Sequence, residues 1–482
     1  MKYFKEMIGI LTPKERMQIR EGLELQSTPC RRLELFELID AGAVDDDEAA
    51  ANYLYGDRSG SAYSHLKARL RTSMIDILFP PYFPQSAGDY YELRSECWRE
   101  LQIAQFFLAR EAFGIARKHL EDARSMAESS GLVSEMLIIE DLCMQHFPLQ
   151  STRATRKPSR EGINSRTDLL RSRLEAKQQY NKLFQMDLFQ NFSAAPLTPG
   201  MEMALQAVRE RREKTPFPRV QYWYCHLVIL FEKMQGNFTE ALEVADDLWE
   251  LTRRHTPRFS RTETLEASLA YAKMAAYNGH WSRAGEVTQQ ILEEAPAGSW
   301  VELNALEIAF LLRFYTGDFA EAEAFQRAGS AHPKNQSSAF HAALWNYYHS
   351  YLAFAAGNYP EALGLLAASG ELTRHKSKWL IGHKVAEIFN LIALRNFDLV
   401  EYKLNAFKQL LKRQKANRID RGKHIAQVFT RLMRNDYDFE VTRQEFSHNQ
   451  LIREKSEGQP GWEPFNFEVL QIDRFLEMDE VF

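Results

Sequence analysis

Four segments of this chain repeat one pattern at near-regular intervals, and that repetition limits the possible folds more than any other feature. GNFTEAL (Gly236–Leu242), GHWSRAG (Gly279–Gly285), GDFAEAE (Gly317–Glu323) and GNYPEAL (Gly357–Leu363) each read Gly-x-aromatic-x-x-Ala, and their first glycines lie 43, 38 and 40 residues apart. Periodicity of this length marks stacked supersecondary units, each leaning on its neighbours. The residue types explain themselves. Glycine ends a helix in a left-handed turn at little steric cost. The aromatic opens the next helix and fills the gap between the two. Alanine, three positions on, sits where two helix backbones come close, so a larger side chain would wedge them apart. Ala241, Ala284, Ala322 and Ala362 are therefore expected at helix contacts.

These segments resemble the tetratricopeptide repeat, which has the same Gly-x-Tyr/Phe-x-x-Ala core and a proline after its second helix. Pro296 falls 17 residues after Gly279 and Pro333 falls 16 after Gly317, whereas Pro257 comes 21 after Gly236. Degenerate copies flank the four: EAFGIA (Glu111–Ala116) lacks the glycine, and RNFDLV (Arg395–Val400) keeps only Phe397, with valine replacing alanine. The clear resemblance spans residues 219–372 and the weaker copies extend it to 88–415. It implies an all-α, right-handed superhelical solenoid of TPR-like antiparallel helix hairpins, built from longer helices than the usual repeat of about 34 residues. HEAT-like stacking is the other all-α arrangement that the pattern admits. The N-terminal pattern is also similar to that of bacterial repeat proteins, a likeness that carries no function.

Outside the repeats, helical patterning continues. Thr12, Pro13 and Glu15 form a helix start of the capping-box kind. Segments 32–41, 46–55 and 61–78 come next, the last with Leu66, Leu70, Met74, Ile77 and Leu78 at helical spacing. PPYFP (Pro80–Pro84) closes a predicted N-terminal helical module, residues 1–84. Residues 88–218 read as degenerate helical repeats, with hairpin helices at 90–109 and 113–128 and another helix at 132–146. A basic linker near 151–164 runs into a long helix ending near Phe192, and PLTPG and TPFP punctuate the next helix. Residues 219–415 are the TPR-like array, and 416–482 are C-terminal helices and an acidic tail.

Composition narrows the function. A net charge of −5 gives no global pull toward nucleic acid or anionic membrane. Cys30, Cys97, Cys143 and Cys225 are widely spaced, which suits buried thiols in a reducing compartment. The apolar run at the N-terminus is too short for a signal peptide, and no stretch reaches the roughly 18 apolar residues of a membrane span. A cytoplasmic location is expected. The chain has no GxxxxGK[ST], HExxH or GxSxG motif. The pairs His341/His349 and His375/His383 are each eight apart, too far for a compact two-ligand site. No enzyme activity, cofactor or metal is expected.

In the tetratricopeptide family the first helix of each hairpin lines the concave face. That register places Trp223, His226, Leu230, Lys233 and Met234 on the groove, then Glu266, Leu269, Lys273 and Tyr277. The next two repeats add Asn304, Glu307, Leu311, Phe314 and Tyr315, then Leu344, Tyr347, Tyr351 and Phe354. An aromatic-rich groove with few charges suits an amphipathic helix or an extended peptide. The family's carboxylate clamp is not expected, because its positions hold His226, Leu269, Glu307 and Tyr347. A basic cluster (Lys408, Lys412, Arg413, Lys415, Arg418, Arg421, Lys423) precedes a tail with six acids after Trp462, so the tail is expected to cap the stack or dock on that cluster. The expected function is a non-catalytic scaffold or adaptor holding a protein or peptide ligand. The alternative is a regulatory protein whose residues 61–78, with Lys67, Arg69 and Arg71, contact nucleic acid or a transcription partner.

Overall fold

The computed structural model describes residues 1–26, 31–56, 60–80, 89–147, 160–189, 217–374, 378–413, 420–447 and 462–477. Regular structure among them is entirely helical. PLTPG with the helix after it, most of PPYFP, the linker residues 151–159, Cys30, Lys415 and Arg418 lie outside the described residues. Two compact units emerge: residues 1–171 with 256–261, and residues 172–255 with 262–482. The division falls within the helix Arg160–Phe189, whose first turn takes in residues read from sequence as the end of the basic linker.

In the first unit, helices Lys2–Ile10, Pro13–Gln26, Arg31–Asp40, Asp47–Tyr55 and Gly60–Leu78 precede the hairpin Asp89–Leu108/Phe113–Ser130 and the helix Val133–His146. The capping box forms: Thr12 N donates to Glu15 Oε2 at 2.8 Å, and Glu15 N to Thr12 Oγ1 at 3.3 Å. One continuous core runs from Phe4 through Leu70 and Met74 to Phe107, Ala116 and Phe147. The N-terminal helices pack chiefly on one another, with Pro13–Gln26 and Arg31–Asp40 against Gly60–Leu78, and share one apolar core with the hairpin after them, which short helices need for stability. Two of the three cations on the helix weighed as a nucleic-acid reader have partners within the unit, whereas Arg69 is exposed. Lys67 lies 2.9 Å from Asp47, and Arg71 sits over the Tyr3 ring at 5.5 Å.

The second unit carries the four repeats, as helix pairs Pro218–Gln235/Phe238–Arg254, Arg261–Tyr277/Trp281–Glu294, Trp300–Thr316/Phe319–Ala331 and Ala339–Ala355/Tyr359–Ala368. From the second repeat on, the second helix of each packs on the first helix of the next. The pattern's turn and close helix contact are realised at every copy, but its ring is not uniformly a gap-filler: Phe238 is buried, Trp281 and Tyr359 are half-buried, and Phe319 is 44% exposed. Gly236, Gly279, Gly317 and Gly357 take φ of 81°, 77°, 82° and 75°. The next amide reaches back five residues, as in Asp318 N to Arg313 O at 2.9 Å, satisfying carbonyls at the helix end. Phe238, Trp281, Phe319 and Tyr359 each open the second helix, and Ala241, Ala284, Ala322 and Ala362 are fully buried.

The degenerate copies fold the same way without glycine. Glu111 and Arg395 occupy the turn at φ 59° and 55°, and Ala116 and Val400 fill the alanine position, fully buried. The pair Lys378–Ala393/Phe397–Arg413 therefore continues the stack. A further turn that sequence reading passed over, at Asp436 and Tyr437 (φ 53° and 62°), joins Asp420–Arg434 to Phe439–Ser447 and buries Thr442 where the pattern has alanine. The chain is thus an all-α helical-repeat solenoid. No helix among the described residues is long and apolar enough to cross a membrane.

Candidate peptide-binding groove

The first helices of the repeats share a face, and part of that face is covered by the chain's own C-terminal segment. Residues 462–471 run across it as irregular, turn-containing chain and end in the helix Ile472–Leu476. The sequence favours an amphipathic helix or an extended peptide as occupant; the segment that lies there instead bends at Phe465, with φ 58°.

The contacts proceed helix by helix. The Phe465 ring lies 5.8 Å from Tyr277 and 6.3 Å from Tyr315. Trp462 meets Tyr315 edge-on at 5.0 Å and packs beside Trp281 at 6.3 Å. Phe465 N donates to the Tyr315 hydroxyl at 3.1 Å, and the Tyr347 hydroxyl donates to Phe467 O at 2.8 Å. Burial pushes the pKa of both hydroxyls up, so they stay protonated and serve as neutral partners for main-chain groups. Gly382 makes the approach possible: a Cβ there would stand 2.5 Å from Phe467 O and 2.4 Å from the Tyr347 hydroxyl. Phe475 then enters a nest of rings, 4.2 Å from Phe389 and within 6.4 Å of Phe354, Phe429 and Phe439.

One charge anchors the segment. Arg421 Nε and Nη2 donate to Glu468 Oε2 and Oε1 at 2.6 and 2.7 Å, with both residues buried. Such a two-pronged guanidinium–carboxylate pair is stronger and more directional than a single ionic contact. Glu468 also accepts from Ile472 N at 2.8 Å, starting the terminal helix, while Trp462 Nε1 donates to Glu468 O at 2.9 Å. The expected docking of acidic tail on basic cluster is realised through this pair. Lys412, Arg413 and Lys423 remain exposed.

The residues assigned to the groove from sequence fall into three groups. Phe314, Tyr315, Tyr347, Tyr351 and Phe354 are buried, and of these Tyr315, Tyr347 and Phe354 touch the C-terminal segment directly. Phe314 and Tyr351 lie one layer behind, 6.1 Å apart, and the Tyr351 hydroxyl reaches that of Tyr347 at 3.2 Å. Trp223 and His226 face the helix Arg160–Phe189, with Tyr180 at 5.8 and 5.7 Å and Lys177 over the Trp223 ring at 4.9 Å. His226 Nε2 is enclosed without a hydrogen-bond partner, and burial pulls its pKa down to about 4. Lys233, Lys273, Tyr277 and Asn304 are half-buried. Sequence reasoning missed Gly382, Phe389 and Phe429, and it named Trp281 only as a repeat aromatic and Arg421 only as part of the basic cluster; all five lie outside the first helices of the four clear repeats.

Among the described residues, the other cluster of ligand-type side chains is Glu100, His119 and Asp122 in the first unit. His119 Nδ1 meets Glu100 Oε2 directly at 2.6 Å, which closes the space a cation would take between them. Cys97, Cys143 and Cys225 are buried thiols, and burial pushes that of Cys97 up to about 12.

No family model matches the chain, and no curated protein matches it in sequence. Among solved structures, a chain of the APC/C hetero-tetramer Cut9–Hcn1 aligns over 89% of this chain and 96% of its own length, at 13% identity and a TM-score of 0.35.

Proposed function

We propose that the chain is a non-catalytic scaffold that holds a short peptide segment of another protein against the first helices of its repeats. One observation carries this reading: a non-helical stretch of polypeptide already lies there, its main chain hydrogen-bonded to the Tyr315 and Tyr347 hydroxyls. Contacts to main-chain groups grip any peptide of suitable shape, and the surrounding ring pockets add selectivity. Tyr277, Tyr315, Tyr347 and Phe354 are the residues we assign to ligand contact. Lys233, Lys273 and Asn304 extend the same face, with Phe314 and Tyr351 supporting it from behind, whereas Trp223 and His226 pack against the helix Arg160–Phe189.

The test uses a chain ended after Ser447, checked for retained helicity by circular dichroism and titrated with a fluorescent peptide of residues 462–477. One-to-one, saturable binding is expected, abolished by Gly382→Ala, which fills the space of the peptide carbonyl. A folded, trimmed chain that takes up no peptide refutes the reading.

A further inference from the structure

The seated segment divides its contacts into two kinds. The hydrogen bonds from Tyr315 and Tyr347 go to main-chain groups and ask nothing of sequence. The side-chain contacts ask for a definite order: rings at Trp462 and Phe465, a carboxylate at Glu468, and a ring at Phe475. Arg421 belongs to the groove and not to the segment. When the segment leaves, this guanidinium gives up two charge-assisted hydrogen bonds, which an incoming carboxylate restores and an apolar group does not. The ligand that suits the vacated groove must therefore bring an acid to the same place.

We propose, resting on the scaffold reading above, that residues 462–477 are a tethered competitor. The outside ligand is a peptide segment with the same layout: two aromatic residues, then a carboxylate that Arg421 receives, then a further aromatic. Arg421 is the specificity-determining residue. The physics favours exchange over permanent closure. Ordering an irregular segment costs conformational entropy at every residue, which offsets much of the gain from burying its rings. A tethered ligand nonetheless competes at an effective concentration of about millimolar order, so the intact chain binds an outside peptide less tightly than a loosened one.

The experiment uses the full chain and a labelled peptide of residues 462–477. Glu468→Gln in the full chain removes the carboxylate from the tether but leaves Arg421 in the groove. Peptide binding is expected to tighten roughly tenfold or more over the unaltered chain. A peptide with glutamine at position 468 is expected to lose that gain. Trp462→Ala in the full chain, a change at the half-buried edge of the segment, provides a second loosened form and is expected to tighten binding in the same direction. Hydrogen exchange at 462–477 reports release of the tether. If the tether is released and peptide binding does not improve, the inference fails. It fails equally if the segment stays protected in Glu468→Gln, because the ion pair then does not hold it. A concentration-dependent dimer in sedimentation, with released segments seated in a second copy, also overturns it. If the trimmed chain binds peptide while the loosened full chains bind no better than the original, the scaffold reading stands and this inference alone falls; if the trimmed chain takes up none, both fall.

Discussion

Arg421 and Glu468 share a two-pronged ion pair, 2.6 and 2.7 Å long, with 5% and 2% of their surfaces exposed. A buried charge whose partner is deleted keeps its desolvation cost and loses its compensation. Glu468→Ala is therefore expected to lower unfolding stability by about 3–5 kcal/mol. Replacing both residues by apolar ones of similar size (Arg421→Met with Glu468→Leu) is expected to cost far less than the sum of the two single changes. Urea unfolding of the four proteins checks this, and simple additivity would refute it.

Ala322 is fully buried, whereas Ala320, in the same helix, is exposed. Leucine at 322 overpacks the helix contact and is expected to cost about 1–3 kcal/mol. Leucine at 320 is expected to stay within about 0.5 kcal/mol of the parent. Thermal or urea unfolding of the two variants separates packing from composition, and equal effects would contradict the account of the repeat.

The turn residues make opposite tests of one conformation. Gly317 sits at φ 82° with nothing near its missing Cβ, so Gly317→Ala carries only backbone strain, expected at about 1 kcal/mol. Glu111 holds the equivalent turn at φ 59° in a degenerate copy, and Glu111→Gly is expected to stabilise by up to about 1 kcal/mol. Unfolding midpoints of the two variants should move in opposite directions.

His424, on the same helix as Arg421, has its pKa pulled down from 6.5 to about 4, first by burial and then by the Arg421 guanidinium. The unfolded chain takes up a proton there below pH 6.5 while the folded chain resists until about pH 4, so stability falls as pH drops through that window. A loss of roughly 3 kcal/mol attributable to this residue is expected between pH 7 and pH 4. His424→Gln should flatten that part of a stability–pH curve; an unchanged slope would refute the assignment.

The features legible in the sequence are those encoded locally. A helix end, a ring that opens the next helix and a close helix contact lie within six residues of one another, so Gly317, Phe319 and Ala322 announce a hairpin by themselves. Glu111 and Arg395 show the limit of that code. Here the turn is held by hydrogen bonds such as Ala112 N to Phe107 O at 2.9 Å, and the strain of a non-glycine residue is tolerated with no mark in the pattern. The groove is half legible. Register places Tyr315 and Tyr347 on it, but their partners lie 150 and 120 residues away, and no periodicity spans such distances. The signals that point there are compositional: aromatics among acids in the tail, and a basic cluster upstream. Arg421 and Glu468 are where the two meet.

Synthesis proceeds from the N-terminus, so the helices bearing Tyr277, Tyr315 and Tyr347 leave the ribosome well before Trp462. Until then they present a bare aromatic strip, the kind of transient surface that draws chaperones or self-association. Nonsense or frameshift lesions between residues 448 and 461 would make that strip permanent. Such alleles should yield proteins that fold their repeats yet are cleared or clump in the cell.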